Sequence, residues 1–470
     1  MSIYPSLFRR FVFPALDVIN RTHVARIHSQ LEESQWWPRE SLLDMQHNKL
    51  ESMLAWTREN AAFYTRHWIS APAERRASSL HPALDGLPVV SKQDLRSALG
   101  AFPIASARPG RVFKVHTSGS TGEPMVFYRS HEQESWFWAL RLRMWQWGGY
   151  QPGEPYLTLN LNPRTALRKR AQDVLFRCWY HGFNANEHDV DAVIRDLTDH
   201  RIPHLVGYAS SLYLLAKAMR ERAAKNPGVR TILATGDSLL PEYRHTIEEV
   251  FGVGVCDYYG AGGEGVHLAS QCEERDLYHL HVENAVVEIL KDGRPAKPGE
   301  IGEIVVTQLD NRAMPLIRYA TQDVAIPTGV ESCACGRHLP LIQGIQGRVP
   351  DLVFAPDGSC LVVHFFTILF EYIPEILQFQ VVQRVPERII ARIVRTPEYD
   401  EAQTERRVRE AIAKATHGTL SVDFEYVEEI PLSRSRKRRF VVSEIRSAPL
   451  AAAASDEDVR ATASSNARRA

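Results

Sequence analysis

The sequence has few cysteines, no excess of either charge and no long apolar run. Six cysteines in 470 residues are too few to staple a small secreted scaffold, which favours a reducing compartment and predicts a cytoplasmic protein. The 56 basic and 56 acidic residues cancel, so the overall charge indicates neither nucleic acid nor an anionic membrane as the main partner. The longest apolar run, residues 361–370, is shorter than the roughly 20 residues that span a bilayer, so no transmembrane helix is predicted.

The first residues also lack the pattern of a secretory signal. Arg9 and Arg10 precede an apolar stretch, but Pro14 and Asp17 interrupt it, and no small-residue cleavage site follows. We therefore expect no signal peptide.

The composition, 44% hydrophobic and 24% charged, is that of a globular protein. Residues 39–66 carry apolar side chains at a helical period, which predicts an amphipathic helix. From about residue 110 to 330, short β-rich runs alternate with helical stretches such as 207–222 and 241–251, a pattern typical of an α/β fold. The predicted strands of this body are 156–161, 231–234, 253–258, 285–290 and 303–307.

The pattern changes beyond residue 348, where the sequence predicts a small α+β unit. Its predicted elements are strands at 377–385 and 387–395, a helix at 401–416 and a strand at 420–428. We therefore expect a large domain at 1–348 and a small domain at 349–447. Residues 448–470 carry too few large apolar groups to order themselves and are predicted to be a disordered tail.

The most informative stretch is residues 116–124, which read His-Thr-Ser-Gly-Ser-Thr-Gly-Glu-Pro. Because hydroxyl side chains alternate with glycines there, backbone N–H groups can converge on an anion without obstruction from Cβ atoms. Phosphate is the natural ligand of such a loop, although the Gly-Lys-Ser/Thr ending of a P-loop is missing. An ordinary turn rich in serine and glycine is the alternative.

Four further motifs follow this loop, and together they suggest a family. The motifs lie at 235–238, 257–264, 318–323 and 347–351, and a basic stretch follows at 433–439. In this order and at these separations they resemble the adenylate-forming superfamily, specifically the phenylacetate–CoA ligase family and its capsule-biosynthesis-type branch. The likeness runs from about residue 40 to 447. It implies a large adenylation domain with mixed sheets and helices, followed by a small mobile domain.

The resemblance implies a binding site for ATP. The loop residues that would embrace the β- and γ-phosphates are Ser118, Gly119, Ser120, Thr121 and Gly122. Tyr259, followed by Gly260, would stack on adenine, and Gly236 and Asp237 would line the base pocket. Asp323 would accept the ribose hydroxyls, with Arg348 beside it. For any one of these residues alone, an ordinary polar surface group is the alternative.

Two charged residues would carry the chemistry in this resemblance. Glu264 would hold Mg²⁺ against the phosphates, because this hard cation prefers carboxylate oxygen. Lys437 would neutralise charge on the α-phosphate and the carboxylate, a role worth about 10² to 10³ in rate. The basic run around Lys437 leaves a nucleic-acid or membrane patch as the alternative.

The chain departs from the family pattern at several positions. Gly263 replaces a hydroxyl residue before Glu264, in a motif one residue longer than usual. Gln322 and Arg436 stand where the family has glycine, before the aspartate and the lysine. Pro350 occupies the place of a polar hinge residue and fixes its own φ near −65°.

A metal site is a separate prediction. Cys272, His279, Cys333 and Cys335 form a Cys₃His set, which is a recognised structural zinc combination. His281 competes with His279 for the histidine position, and a pair of buried reduced thiols is the alternative. Such a closed site would stabilise the architecture and perform no chemistry.

The resemblance therefore implies an AMP-forming acid–CoA ligase that uses ATP, Mg²⁺ and coenzyme A, and the Cys₃His set predicts structural Zn²⁺. Two alternatives stay open: acyl transfer to an amine or hydroxyl of a cell-envelope saccharide, and a nucleotide-binding scaffold without turnover. The expected partners are a small carboxylic acid and an acyl acceptor, with no nucleic acid, and a homodimer is left open. His267 is predicted to fill a core position.

Overall fold

The computed structural model describes most of the chain in several stretches. They are residues 3–71, 75–99, 102, 112–116, 125–160, 173–183, 187–348, 351–357, 360–371, 373, 375–431 and 439–445. The loop at 118–122, Lys437, Pro350 and the tail at 448–470 lie outside the described residues.

The chain begins with helices, and one turn of π-helix at Phe8–Val12 joins the first two. The α-helices are α1 Tyr4–Leu7, α2 Phe13–Asn20, α3 Val24–Ser34, α4 Arg39–Asn60, α5 Ala62–Ser70 and α6 Lys92–Ser97. The single helix predicted at 39–66 is thus two helices, because Ala61 leaves the helical conformation with φ −120° and ψ 80°. Helix α6 begins at a capping box formed by Ser91 and Asp94, which satisfies free N–H groups of its first turn.

An α/β body follows. Its elements are β1 Val112–His116, β2 Val126–Ser130, α7 His131–Trp147, β3 Tyr156–Asn160, β4 Cys178–Gly182, α8 Glu187–Asp199, β5 His204–Tyr208, α9 Ala209–Glu221, β6 Thr231–Thr235 and α10 Pro241–Phe251. The later strands are β7 Val255–Ala261, β8 Val266–Gln271, β9 Tyr278–Leu280, β10 Ala285–Lys291, β11 Arg294–Pro295, β12 Gly302–Gln308, β13 Tyr319–Pro327 and β14 Leu341–Arg348. All five strands predicted for this body are present, with shifts of at most a few residues at their ends.

One twelve-stranded sheet contains the strands from β3 to β14. Its order is β11-β10-β12-β13-β14-β9-β8-β7-β6-β5-β3-β4. The five strands β7, β6, β5, β3 and β4, at one end of this order, pair in parallel. All other neighbouring strands, from β7–β8 to β10–β11, pair antiparallel. Strand β7 is therefore the border between the two halves of the sheet.

A second unit follows the body. Its elements are β15 Val353–Phe354, β16 Cys360–Leu361, α11 Val363–Glu371, β17 Ile376–Val385, β18 Arg388–Arg395, α12 Glu401–Ala415, β19 Ser421–Tyr426 and β20 Val441–Ser443. Its four-stranded sheet, in the order β19-β18-β17-β20, packs on its own apolar core. The predicted α/β class with a small α+β unit is confirmed, while the boundary at residue 348 stays a prediction.

A buried ion pair joins the amino-terminal helices to the sheet. Arg143 of α7 and Glu283, between β9 and β10, are 0% and 1% exposed, and Nη1 lies 2.6 Å from Oε1. The Ser34 hydroxyl of α3 donates to the same carboxylate at 3.0 Å. Burial opposes ionisation of Glu283, but the Arg143 guanidinium outweighs it and holds the pKa of Glu283 below its usual value.

Replacing Glu283 tests the contribution of this pair to stability. Glu283→Gln would leave the Arg143 guanidinium buried without its counter-charge, so we expect the free energy of unfolding to fall by about 3–5 kcal/mol in urea denaturation. The control is Glu249→Gln, which removes an exposed pair with Arg220 at 3.4 Å and should cost less than about 1 kcal/mol. Equal losses in the two variants would contradict this account.

Candidate functional site

Three parallel strands end at the same edge of the sheet. Strand β5 ends at Tyr208, β6 ends at Thr235, and the two residues are register partners. Strand β7 continues this edge with Tyr259 and Gly260. Since ligands of parallel sheets bind outside the carboxyl ends of the strands, this edge is a candidate binding site.

Gly236 follows β6 and lies against the ring of Tyr208. Its φ is +83°, and a Cβ atom at this position would lie 2.3 Å from two carbons of that ring. The next residue, Asp237, accepts hydrogen bonds from the backbone N–H and the hydroxyl of Ser210 at the start of α9. These contacts fix the 236–237 turn against the helix, and only glycine fits the first position.

Asp323 connects three strands. Its carboxylate accepts a hydrogen bond from the Tyr259 hydroxyl of β7 at 2.6 Å and another from Nε of Arg348 at 2.9 Å. Asp323 and Arg348 are register partners in β13 and β14, whereas β8 and β9 lie between β14 and β7 in the sheet. The negative charge of Asp323 raises the pKa of Arg348. Three residues predicted for the nucleotide site are thus in direct contact.

Glu264 lies in the turn after β7 and is partly buried. The Tyr319 hydroxyl donates to its Oε1 at 3.2 Å, and Nε2 of Gln308 donates to its backbone oxygen at 2.7 Å. Gln133 of α7 donates to the backbone oxygen of Gly265 at 2.6 Å, which holds the same turn from the other side. Loss of hydration raises the pKa of Glu264, and the nearby Asp323 adds to the rise while Lys92 opposes it.

The glycine-rich loop and Lys437 lie outside the described residues, but their neighbours are described. His116 of β1 pairs with Val126 of β2, one strand on each side of the loop. Arg129 of β2 packs on Gly265, where a Cβ atom would lie 2.0 Å from the Arg129 Cδ. The strand that follows the loop is therefore anchored beside Glu264. On the other side, Arg439 donates to Asp351 at 2.9 Å.

Arg129 is a candidate residue that the sequence did not indicate. It is 7% exposed, its guanidinium lies 4.8 Å from the centre of the Phe137 ring, and Nη1 lies 3.1 Å from a Glu134 oxygen without hydrogen-bond alignment. Within the described part of the chain, its Nε and Nη1 have no hydrogen-bond partner. Burial lowers the pKa of Arg129, and the carboxylates of Glu134 and Glu264 counter this. A single arginine within a strand carries no sequence signal of its own.

His267 of β8 stacks on the same Phe137 ring that Arg129 contacts. Its ring lies 4.3 Å from that of Phe137 at 20°, and it is 5% exposed, so the predicted core position is confirmed. Neither ring nitrogen has a hydrogen-bond partner among the described residues. Burial, with Arg141 and Arg129 nearby, holds the pKa of His267 far below its usual value, so the ring is neutral.

Two further residues of the 318–323 motif, Arg318 and Gln322, have structural features of their own. Arg318, 0% exposed, forms a buried pair with Glu288 at 3.0 Å and donates to backbone oxygens of the segment before α6. This pins that segment to β13, where Val90 forms a bridge with Tyr319. Gln322, in the usual glycine position, has φ 67°, a conformation that favours glycine.

The predicted metal ligands come together. Cys272, His279, Cys333 and Cys335 offer donor atoms that all lie within 4.8 Å of one another. The sulfurs of Cys272 and Cys333 are 3.7 Å apart, and the Cys335 sulfur lies 3.4 Å from Nε2 of His279. Two thiolates on a tetrahedral zinc are separated by about 3.8 Å, because each Zn–S bond is about 2.3 Å. His281 is engaged elsewhere, with Arg143 and Ser270. The donor set and spacing fit a four-coordinate zinc ion.

Comparisons with known proteins agree with this architecture. Residues 353–444 match the model of the CapK C-terminal domain. The phenylacetate-coenzyme A ligase of Thermus thermophilus is 26% identical over 362 residues, covering 74% of this chain and 79% of the relative. Protein CapK of Staphylococcus aureus is 21% identical over 422 residues, covering 86% and 90%. The crystal structure of 2-hydroxyisobutyryl-CoA ligase in the postadenylation state aligns with a TM-score of 0.67 at 18% identity, covering 92% and 95%.

Substituting Gly236 tests the contact with Tyr208. Gly236→Ala would force the ring away, whereas Gly252→Ala, at φ +67° with nothing within 4 Å of the added carbon, changes only backbone strain. In both variants the free energy of unfolding should fall by about 1–2 kcal/mol, because alanine is strained in the left-handed conformation. In Gly236→Ala it should fall by about 1–3 kcal/mol more, because the added methyl group overpacks against the Tyr208 ring. Urea denaturation measures both losses, and an equal loss in the two variants would rule out a structural constraint from Tyr208.

Proposed function

We propose that this chain, which belongs to the adenylate-forming superfamily in the family of phenylacetate–CoA ligases and CapK, activates a carboxylic acid with MgATP. The carboxylate attacks the α-phosphorus, the bond to the bridging oxygen breaks, and pyrophosphate leaves. The thiol of coenzyme A then attacks the acyl carbon, loses its proton and displaces AMP. Activation is needed because a free carboxylate is a poor electrophile, whereas the acyl-adenylate carries a good leaving group.

The contact between Asp323, Tyr259 and Arg348 carries this proposal. A carboxylate has about four lone-pair positions, and two are used by the Tyr259 hydroxyl and the Arg348 guanidinium. The remaining positions suit the two hydroxyls of a ribose. The Tyr259 ring and Gly236, which lies against the Tyr208 ring, are at the ends of the parallel strands, where the adenine is proposed to stack.

The charged residues around Glu264 suit the triphosphate. Glu264 offers the carboxylate oxygen that Mg²⁺ prefers. Loss of hydration disfavours the negative charge of Glu264 and raises its pKa, and a bound cation would stabilise that charge. Arg129, beside the Glu264 turn, is a further cation for the phosphates or the carboxylate. The magnesium ion, when bound, would neutralise phosphate charge during the displacement.

The acid is proposed to bind beside Phe137 of α7, whose ring is contacted by Arg129 of β2 and His267 of β8. Buried polar atoms without hydrogen-bond partners cost about 1–3 kcal/mol each, so the Arg129 guanidinium is the group proposed to hold the carboxylate or the adenylate.

Two alternatives are separated by one experiment. The match of the small unit to the CapK C-terminal domain keeps open a different acceptor, an amine or hydroxyl of a cell-envelope saccharide. Gly263, Gln322 and Pro350 motivate a nucleotide-binding scaffold without turnover. The purified chain is incubated with a panel of acids, labelled ATP and Mg²⁺, with and without coenzyme A. Pyrophosphate release without use of coenzyme A favours the other acceptor, and ATP binding without AMP formation favours the scaffold.

Lys437 is proposed as the catalytic cation, and its removal tests the assignment. Lys437→Ala should lower pyrophosphate release by about 10² to 10³, because one preorganised charge at the α-phosphate is lost, with ATP affinity nearly unchanged. The matched control is Lys414→Ala, on the exposed last turn of α12. Unchanged turnover in Lys437→Ala would reject the role.

Zinc is proposed as a structural ion at Cys272, His279, Cys333 and Cys335, where it would hold the segment between β13 and β14 to β8 and β9. Elemental analysis of the purified chain should find about one zinc per chain, because four closed protein ligands form a structural site. Cys333→Ser should lose the metal and lower Tm, whereas the control Cys178→Ser, outside the cluster, should keep the metal. A metal-free wild-type chain whose Tm equals that of Cys333→Ser would contradict the site.

A further inference from the structure

The first helical segment exposes a row of large apolar side chains, here called the amino-terminal apolar face. Its members are Ile3 at 76% exposure, Leu7 at 45%, Phe11 at 59%, Val18 at 80% and Ile19 at 72%. Positions 3, 7, 11 and 18 follow a helical spacing and therefore share one side of α1, the π-turn and α2. Scattered exposed apolar residues are normal, but a contiguous group of this kind marks an interaction surface.

The opposite side of the same segment is already packed. Phe8 is 2% exposed and contacts the rings of Tyr4, Phe13 and Phe176. The Tyr4 hydroxyl donates to the backbone oxygen of Leu175 at 2.6 Å. The protein therefore covers the Phe8 side of this segment, while the amino-terminal apolar face stays exposed.

Positive charge borders the apolar face. Arg9, Arg10 and Arg21 are exposed on this segment, and Arg177 lies over the Tyr4 ring at 5.6 Å. The segment's acidic residue, Asp17, is occupied by the Thr22 hydroxyl and by backbone N–H groups of α3. Val174, 80% exposed, adds to the apolar area next to the residues that contact Tyr4 and Phe8. The neutral total charge of the chain therefore conceals a local basic and apolar surface.

We propose that the amino-terminal apolar face lies on an anionic lipid surface, with the helical segment parallel to the membrane plane. Apolar side chains inserted below the headgroups and arginines beside them are the two features that hold such helices at a bilayer. The attachment is peripheral, since no helix in the described part of the chain is long and apolar enough to cross a membrane.

Other occupants fit this surface less well. In a symmetric dimer built on the same face, Arg9 and Arg10 would approach their own copies and repel them. The segment at 448–470 offers almost no large apolar side chain to cover the face. An anionic bilayer satisfies both the apolar and the charged groups. This inference does not depend on the proposed enzymatic function.

Vesicle flotation of the full chain tests the proposal. We expect binding to vesicles of phosphatidylcholine mixed equally with phosphatidylglycerol, and weaker binding to phosphatidylcholine alone. Phe11→Ser with Val18→Ser should reduce the partition coefficient about tenfold or more, because the transfer of large apolar side chains is lost. Arg9→Gln and Arg10→Gln should each reduce it about fivefold at low salt.

The matched control is Ile69→Ser with Leu80→Ser, which removes two side chains at 80% and 85% exposure from other elements and should leave partition unchanged. Circular dichroism verifies that every variant is folded. Equal partition of wild type and Phe11→Ser with Val18→Ser overturns the proposal. It is equally overturned if sedimentation shows a dimer that these substitutions dissociate while vesicles bind no protein.

Discussion

The carboxylate of Asp323 is the interaction on which the candidate site depends. It accepts from Tyr259 at the border strand β7 and from Arg348 at the end of β14, so it joins the parallel and antiparallel halves of one sheet. The turn that carries Glu264 is held to β13 by a separate hydrogen bond, which the Tyr319 hydroxyl at the start of β13 donates to Glu264.

Two buried ion pairs connect the sheet to the helices and segments around it. Arg318 and Glu288 pin the segment before α6 to β13, and Arg143 and Glu283 tie α3 and α7 to the loop between β9 and β10. In each pair, further hydrogen bonds offset the loss of hydration: Glu283 accepts from the Ser34 hydroxyl, and Arg318 donates to backbone oxygens. Arg129 and His267, by contrast, keep side-chain nitrogens without hydrogen-bond partners in the described part of the chain.

The predicted metal ligands show how the strand order serves a second site. Cys272 follows β8, His279 lies in β9, and Cys333 and Cys335 precede β14, which pairs with β9. Four donors distant along the chain therefore converge because three neighbouring strands carry them. The amino-terminal apolar face has a different origin. It lies on a helical segment that the body covers on the Phe8 side, where Phe8 packs against Phe176.

The amino-acid sequence by itself determined the elements and the motif residues. Hydrophobic periodicity is local, so α10 at 241–251, five strands of the α/β body and three strands of the second unit were predictable, and the residues of the 257–264 and 318–323 motifs were recognisable by type and order. Tertiary structure alone decided which side chains meet. The closeness of Gly236 to Tyr208 and the packing of Arg129 on Gly265 depend on contacts between distant segments, which no local period encodes. The exposure of Phe11 and Val18 was likewise decided there, because burial depends on what the rest of the chain leaves uncovered.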